Sequence, residues 1–325
     1  MPFELTICED KNVWDEFVEN SPQDNVFCRT AFLDALGKPY DLWLLTEKNR
    51  PIAGAILLKD RQGSVLKSPH PFSMYHGVLL DRHIADMPTH RRVGEAQEVF
   101  SRMLLRLEQS YDRWSFCLHP NLEDLRAFSW HHYHEPDLGK ARIDLYYTGQ
   151  IHVDNFEKYL GAIRPCKRRE YRLAQKKGML AETSDDLVLL ADLYRSTFQR
   201  QGLDKSDEDL HLMTSIARSA IEKGFGELLL ARLPNGTVVS AALFLHDTHT
   251  GYYLIGANHP DYRNTYGGIF IVLESIRRCH ERGLKIVDVC GINSPNRGDF
   301  KISLNAIPKP YFVVDWMRPD IASTA

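Results

Sequence analysis

The stretch GELLLARLPNGTVVSAALFLHD, at Gly226 to Asp247, decides the fold, because it places a polar turn between two apolar runs. Apolar runs of this length are typical of paired strands, and Asn235-Gly236 between them readily takes the positive φ angles of a tight hairpin turn. The stretch DLWLLTEKNRPIAGAILLKD, at Asp41 to Asp60, has the same plan. The sequence therefore predicts one β-hairpin in each half of the chain.

The same series of elements follows each hairpin: a strand-like run, a pattern of apolar residues at helical spacing, and another strand-like run. These lie at 74–80, 96–111 and 113–120 in the first half, and at 251–258, 269–279 and 284–291 in the second. A repeat of this length favours duplicated domains over a solenoid. We therefore predict an N-terminal domain at 1–150 and a C-terminal domain at 151–325.

The composition is that of a globular protein able to bury sizeable cores. Of the 325 residues, 43% are hydrophobic and 26% are charged, which excludes disordered and fibrous classes. Lys and Arg number 40 against 43 for Asp and Glu, so the chain is no general polybasic binder and DNA is not an expected partner. The start lacks the pattern of a secretory signal, and no apolar run reaches the length of a membrane span. We expect a cytoplasmic protein without a transmembrane segment.

Four stretches resemble the Fem peptidoglycan-bridge aminoacyltransferases, in which each half of the chain is a GNAT-like domain. They are WDEFVENSPQDNVFCRTAFLDAL at 14–36, RREYRLAQKKG at 168–178, LYRSTFQRQGL at 193–203 and VDVCGINSPNRGDFKISLN at 287–305. The resemblance implies an α/β (α+β) fold of two tandem GNAT-like domains. Each would be a mixed, mostly antiparallel sheet flanked by helices, with most of the site on the second domain.

The resemblance also implies an acyltransferase. Its donor would be aminoacyl-tRNA or acyl-CoA as co-substrate, with no tightly bound cofactor. Its acceptor would be an amine, such as a peptidoglycan precursor or an amino-sugar or amino-acid compound. Two alternatives stay open: a catalytically silent tandem GNAT that binds an anionic peptide or nucleotide, and an RNA-binding module that uses the basic segment at 164–177.

Acyl transfer to an amine needs donors where negative charge develops on the carbonyl oxygen, and it needs no covalent enzyme nucleophile. The GNAT resemblance implies backbone N–H donors near Ile255 to Ala257. We predict catalytic roles for Lys301, which follows an apolar strand in an expected loop, and for Tyr252 or Tyr253, which alternate across their strand. The alternative readings are a solvated lysine and packing tyrosines.

Basic residues that suit phosphates or carboxylates are the predicted binding residues. The substrate-binding set is Arg200, Arg168, Arg172, Lys176 and Phe300, and the set for the donor's diphosphate is Arg263, Gly267 and Gly268. Helical spacing places Arg168, Arg172 and Lys176 in one cationic stripe, which is equally typical of a solvated face. The loop YRNTYGGIF departs by one or two places from the usual GNAT diphosphate spacing.

The sequence predicts no metal site. His131, His132 and His134 are close together, but adjacent residues of an extended chain point in opposite directions. The six cysteines form no CxxC pair of the kind that structural zinc sites use.

Overall fold

The computed structural model describes residues 3–319. Twelve strands are present in this range: β1 (Phe3–Ile7), β2 (Tyr40–Glu47), β3 (Arg50–Leu58), β4 (Val78–Leu80), β5 (Arg113–Cys117), β6 (Arg142–His152), β7 (Leu180–Ser184), β8 (Gly226–Arg232), β9 (Val238–His246), β10 (Thr250–Asn258), β11 (Ile286–Asp288) and β12 (Ile307–Met317). The contacts within the chain divide it into two compact units. Unit 1 contains residues 3–146 and 310–319, and unit 2 contains residues 147–309.

The same range contains eleven α-helices: α1 (Lys11–Glu19), α2 (Thr30–Ala35), α3 (Arg82–Ala85), α4 (Thr89–Leu107), α5 (Arg126–Ser129), α6 (Phe156–Ala162), α7 (Pro165–Lys176), α8 (Leu187–Gln199), α9 (Asp207–Glu222), α10 (Gly267–Glu281) and α11 (Pro295–Ser303). Short 3₁₀ segments lie at Val26–Cys28, Pro136–Leu138 and Pro260–Thr265. None of the helices within residues 3–319 combines the length and the apolar character that crossing a bilayer requires.

Unit 1 has an antiparallel sheet in the order β1-β2-β3-β4. Its further strand β5 pairs antiparallel with the end of β12, so that Cys117 lies opposite Val313 and Arg113 opposite Met317. The apolar face of α4 packs on a core that the sheet shares with the end of β12. Buried members of this core include Ala55, Val78, Phe100, Met103, Trp114, Phe116, Val314 and Trp316.

Unit 2 has strands in the order β6-β11-β10-β9-β8-β7. All the neighbours in this unit pair antiparallel except β10 and β11, which are parallel. Helices α7 and α10 pack on this sheet. Its core includes Ile151, Tyr171, Leu229, Ala242, Phe270, Leu273, Ile276 and Val287. The predicted order of strand, strand, strand, helix, strand is therefore present in both units, as β2, β3, β4, α4, β5 and as β8, β9, β10, α10, β11.

The division between the units differs in position from the one expected from the sequence. The chain passes from unit 1 to unit 2 between Tyr146 and Tyr147, inside β6, and residues 310–319 return to unit 1. The return has a simple cause, because the backbone groups of β5 pair with the end of β12. The predicted boundary at 150 instead places the end of β12 in the C-terminal domain.

The hairpin at Gly226 to Asp247 is confirmed, but its turn is larger than a two-residue turn. Gly236 N–H donates to the Leu233 carbonyl, and Leu233 N–H donates to the Thr237 carbonyl. Of Asn235 and Gly236, only Gly236 has a positive φ, of 87°. Pro234 fits the second position of an ordinary turn, so the loop is a three-residue connection completed by a left-handed glycine.

Ser206 caps α9, since its Oγ accepts the N–H of Asp209 at 3.1 Å. Arg200 directly follows α8. Lys301 lies on helix α11, so the expectation of a loop at this position is wrong. Pro295 begins that helix, a position where the missing N–H costs nothing.

Candidate functional site

Strands β10 and β11 separate after a short parallel ladder. Their pairing covers Thr250 to Tyr252 on β10, and Tyr252 lies opposite Asp288, where β11 ends. β10 continues to Asn258 with β9 on its other side. Beyond Tyr252, the edge of β10 that faces away from β9 is therefore free of β11.

The carboxylate of Asp288 ends the ladder. This side chain is buried, and its Oδ1 accepts the Thr148 hydroxyl at 2.6 Å and the Cys290 N–H at 2.7 Å. A carboxylate that accepts the N–H two residues later holds the chain in a turn. Cys290 and Gly291 then adopt positive φ angles of 53° and 80°. The chain consequently leaves the sheet at this point.

Lys301 binds the turn that Asp288 creates. Its Nζ donates to the carbonyl oxygens of Cys290 at 2.9 Å and Gly291 at 2.8 Å. The same Nζ lies 5.7 Å from the centre of the Tyr253 ring. Burial lowers the pKa of Lys301 below the ordinary lysine value. The ammonium group is thus held between the turn that follows β11 and the Tyr253 ring, in partly desolvated surroundings.

Tyr253 lies over the backbone of Gly256. The pairing of β10 with β9 shifts register between Tyr253 and Ile255, so that Leu254 forms a bulge. The Tyr253 ring stacks on Phe244, with the ring centres 5.1 Å apart. A Cβ on residue 256 would lie 1.7 Å from the Tyr253 hydroxyl oxygen. A larger residue at 256 would therefore displace the Tyr253 side chain from its present position. Burial raises the pKa of Tyr253, so its hydroxyl stays protonated at neutral pH.

The backbone N–H of Gly256 faces the open edge. Asn258 N–H donates to Thr197 Oγ1 at 2.9 Å, which is away from β9, whereas His259 N–H donates to the β9 residue Val239. Backbone groups of successive strand residues alternate between the two sides. The N–H of Gly256 therefore points to the same side as that of Asn258. This amide lies within the region where the resemblance places an oxyanion donor.

Tyr252 is directed elsewhere. Its side chain is buried, and its hydroxyl donates to Asp247 Oδ2 at 2.7 Å, in the turn between β9 and β10. Burial, reinforced by the Asp247 charge, raises the pKa of Tyr252 well above its ordinary value. Of the two predicted tyrosines, Tyr253 is the one that the structure brings to Lys301.

The end of β10 leads into the N-terminus of α10. Tyr266, with a φ of 68°, precedes this helix, and no side chain among the described residues caps it. A Cβ on Gly267 would approach Val239 Cγ2 to 2.6 Å, and one on Gly268 would approach Asn258 Oδ1 to 2.5 Å. The glycines let the helix start against β9 and β10. The first N–H groups of such a helix favour anions.

Cationic side chains from three elements border this helix start. Burial lowers the pKa of Arg200, and the like charge of Arg263 lowers it further. Lys177 lies 5.0 Å above the ring of Tyr266, with its Nζ 3.4 Å from the Asn264 carbonyl. An anion placed here relieves the repulsion between the arginines, which favours phosphate binding.

The rest of the predicted basic stripe is turned to solvent. Arg172 and Lys176 are exposed on α7, and Arg168 donates to the Gly161 carbonyl at 2.6 Å. The inner face of α7 is fixed by Tyr171, whose hydroxyl donates to Glu274 on α10 at 2.5 Å. The structure thus brings the C-terminal end of α7 to the start of α10, and leaves Arg168 nearer to its other end.

Phe300 is a packing residue in this structure. Its ring is partly buried against the core of unit 2, and the Nζ of Lys167 lies 5.9 Å from the ring centre. One face of the ring is therefore covered by the core. This contact anchors α11, and with it the neighbouring Lys301.

Sequence reasoning did not propose two residues of the site, Asp288 and Arg297, whereas Gly256 and Lys177 lie within the predicted segments 255–257 and 164–177. Arg297 lies four residues before Lys301, a spacing that puts both on one face of a helix, and its charge lowers the pKa of Lys301 as a smaller cause. That signal was present in the sequence, but it depends on recognising α11. The roles of Asp288 and Gly256 follow from tertiary contacts that no local pattern reveals.

The comparisons with known proteins agree with this fold. Residues 163–301 match the family model described as the acetyltransferase (GNAT) domain. The crystal structure of FemX is similar over 100% of this chain and 99% of its own, with a TM-score of 0.72 and 15% identity. A tandem GNAT protein from the clavulanic acid biosynthesis pathway is similar over 97% and 98%, with a TM-score of 0.53 and 10% identity. Among curated proteins, no sequence matches the chain.

A further similar structure is that of L-PGS from Bacillus licheniformis, with a TM-score of 0.52 and 11% identity over 95% of this chain and 92% of that one. The chain thus has the tandem GNAT fold of the Fem type, and the fold class predicted from the sequence is confirmed. Its second unit contains an acyltransferase domain of the GNAT class.

Replacing Gly256 by Ala tests the close packing of Tyr253. We expect Gly256→Ala to push the tyrosine ring off Phe244, because the new methyl group overlaps the hydroxyl. Overpacking of this kind costs about 1–3 kcal/mol of the free energy of unfolding, which urea unfolding will measure.

The matched control is Gly161→Ala on α6, where a Cβ meets no atom within 4 Å. This substitution should be neutral or stabilise the chain by about 0.4–1 kcal/mol. Equal stability of Gly256→Ala and the wild type would contradict the described contact.

Proposed function

We propose that this protein transfers an acyl or aminoacyl group from a phosphate-bearing donor to an amine acceptor, at a site on unit 2. Two contacts carry the proposal: the Tyr253 hydroxyl lies over Gly256, whose N–H faces the edge of β10 that β11 leaves, and the Lys301 Nζ lies 5.7 Å from the centre of the Tyr253 ring. Hydrogen-bond donors that are already positioned where negative charge develops commonly make the largest single contribution to the catalysis of acyl transfer.

In this proposal the acceptor nitrogen, as a neutral amine, attacks the donor's carbonyl carbon. The carbonyl oxygen gains the negative charge and accepts a hydrogen bond from the Gly256 N–H. The positive charge of Lys301 stabilises this negatively charged intermediate by electrostatic attraction. The intermediate then collapses, breaking the bond to the thiolate of an acyl-CoA or to the ribose oxygen of an aminoacyl-tRNA. Tyr253 donates its proton to that leaving group and regains one from the nitrogen, so atoms and charges balance.

The donor's phosphates would lie at the start of α10. Gly267 and Gly268 supply the first N–H groups of the helix, which no side chain within residues 3–319 caps, and Arg200, Arg263 and Lys177 supply the charge. Acyl-CoA and aminoacyl-tRNA both present phosphates and an activated carbonyl. Acyl-CoA is suggested by the similar clavulanic acid pathway protein, whose structure is of the form without AcCoA. Aminoacyl-tRNA is suggested by the sequence resemblance to the Fem aminoacyltransferases.

The acceptor class is proposed from the resemblance to the Fem proteins. It is an amine of a small precursor: a peptidoglycan precursor first, or an amino-sugar or amino-acid compound. A cytoplasmic location fits such substrates. The proposed reaction needs no tightly bound cofactor.

The experiment that tests the function offers both donors side by side. The protein is incubated with isotopically labelled aminoacyl-tRNA or acyl-CoA pools, together with candidate amines, and the products are read by mass spectrometry. We expect one donor class to label an amine. If a donor is retained but no labelled product forms, the result supports a catalytically silent binding protein. If tRNA retention is lost between low and moderate salt, the basic stripe contacts the phosphate backbone of the tRNA.

Replacing Lys301 by Met should lower turnover at least tenfold, which corresponds to about 1.4 kcal/mol in the barrier. The cation is present below the pKa of Lys301, so the wild-type rate should fall as the pH rises through that pKa, which burial lowers. Lys301→Met should lack this alkaline limb. The measurement is kcat against pH, with urea unfolding as the check on folding; wild-type kcat in the variant would remove Lys301 from the mechanism.

Replacing Tyr253 by Phe should lower kcat with little change in the donor's KM, because the hydroxyl acts on the leaving group in the transition state. The matched control is Tyr252→Phe, which removes a hydroxyl that donates to Asp247. We expect the control to lose stability while keeping kcat. A greater loss of kcat in Tyr252→Phe than in Tyr253→Phe would reverse the assignment.

A further inference from the structure

A second cluster of chemically active side chains lies in unit 1. His131 and His132 follow α5, and Glu108 follows the last turn of α4. The Nε2 atoms of the two histidines approach the same carboxylate oxygen, Glu108 Oε2, at 3.1 Å and 2.7 Å. Ligand atoms of the three residues all lie within 4.8 Å of one another. Two imidazoles and one carboxylate therefore converge on one point.

The histidines are buried, and part of their hydrogen-bonding capacity is unused. Each imidazole side chain is 2% exposed, and that of Glu108 is 19% exposed. Within residues 3–319, neither His131 Nε2 nor His132 Nδ1 has a hydrogen-bond partner of acceptable geometry. Buried polar atoms without partners are rare in folded proteins, and an absent ion is one of their ordinary causes.

The backbone places the two histidines on one side. His132 has a φ of 52°, a left-handed conformation that is uncommon for residues other than glycine. The two ring centres consequently lie 4.0 Å apart. The sequence expectation that adjacent histidines point in opposite directions holds for an extended chain, and it does not hold for this turn.

Aromatic rings hold the His131 imidazole in place. The ring of Trp114 lies 5.3 Å from it and that of Trp316 lies 5.7 Å away, both nearly perpendicular to it. Because the His131 ring is already fixed in place, less conformational entropy is lost when an ion binds to it. The partial exposure of Glu108 leaves a path from solvent to the cluster.

We propose that Glu108, His131 and His132 bind a divalent transition-metal ion, with zinc as the first candidate. Two imidazole nitrogens and a carboxylate oxygen form a ligand set that suits Zn²⁺, whereas Mg²⁺ and Ca²⁺ prefer oxygen alone. Glu135 lies 3.5 Å from His132 Nδ1 without hydrogen-bonding it, and a small movement would bring it to the position from which an outer carboxylate orients a metal-binding histidine. Tetrahedral zinc places its ligand atoms about 3.3 Å apart, so binding would widen the two separations between the histidine nitrogens and Glu108 Oε2, which are now 3.1 Å and 2.7 Å.

A metal ion here would connect three elements of unit 1. Arg318, just after β12, donates to the Glu108 carbonyl at 2.8 Å, and Trp316 on β12 contacts His131. The ion would thus fix the end of α4, the segment after α5 and the end of β12 together. This role is separate from acyl transfer on unit 2, and the two proposals fail independently.

The experiment uses the full chain without a histidine tag. The protein is stripped with a chelator, dialysed against buffered Zn²⁺ and then against metal-free buffer, and its zinc is counted by mass spectrometry. We expect one zinc ion per chain, a thermal midpoint that rises with Zn²⁺, and a visible absorption band when Co²⁺ replaces zinc. Tryptophan fluorescence should respond to the metal, because Trp114 and Trp316 contact His131.

Substitutions distinguish the cluster from adventitious binding. Glu108→Gln and His131→Gln should weaken zinc binding at least ~10-fold, as changes around metal sites do, and should abolish the zinc-dependent rise in thermal midpoint. The matched control is His134→Gln, an exposed histidine close to the cluster, which should leave both unchanged. Circular dichroism checks that the variants fold.

The proposal is overturned if the wild-type protein keeps less than ~0.1 zinc ion per chain after dialysis, because a preformed ligand set is expected to hold one complete site. An equal loss of binding in His134→Gln and His131→Gln also overturns it. If both cluster variants fail to fold, the Co²⁺ spectrum and the fluorescence response of the wild type decide: their absence overturns the proposal, and an imidazole-type Co²⁺ spectrum supports it.

Discussion

The buried carboxylate of Asp288 is the interaction on which the candidate site depends. By accepting the Cys290 N–H and the Thr148 hydroxyl, it ends the pairing of β11 with β10 after three residues. The open edge of β10, the two left-handed residues that follow and the carbonyl oxygens that Lys301 binds all result from this turn. A charge buried in this way needs its hydrogen bonds, because an unpartnered carboxylate is costly away from water.

Lys301 combines a structural and an electrostatic role. Its hydrogen bonds to Cys290 and Gly291 hold the turn against α11, and the same charge lies over the Tyr253 ring. A lysine in this position is neither a free surface cation nor fully neutralised, since carbonyl dipoles stabilise the charge without cancelling it. The geometry therefore couples the stability of the loop to the charge beside the Tyr253 ring.

The sequence predicted the twofold plan because that plan depends on local patterns: turn residues between apolar runs, and helical periodicity after them. It placed Lys301 in a loop because this residue follows an apolar strand, and the intervening Asn293-Ser294-Pro295 and Gly298 are themselves typical of turns. In the structure Gly298 is a packing requirement, since a Cβ there would lie 2.8 Å from the Ile292 carbonyl oxygen. The site residues Gly256 and Asp288, and the convergence of His131 with His132, depend on positions of distant backbone that local patterns do not specify.

The return of β12 to unit 1 bears on how the molecule is made. Residues 313–317 supply the partner for β5, yet all of residues 147–309 precede them in the chain. During synthesis from the N-terminus, unit 2 has its complete set of residues before unit 1 does. Until residues 313–317 have been synthesised, β5 lacks its partner strand, and an unpaired strand edge exposes the chain to aggregation during folding.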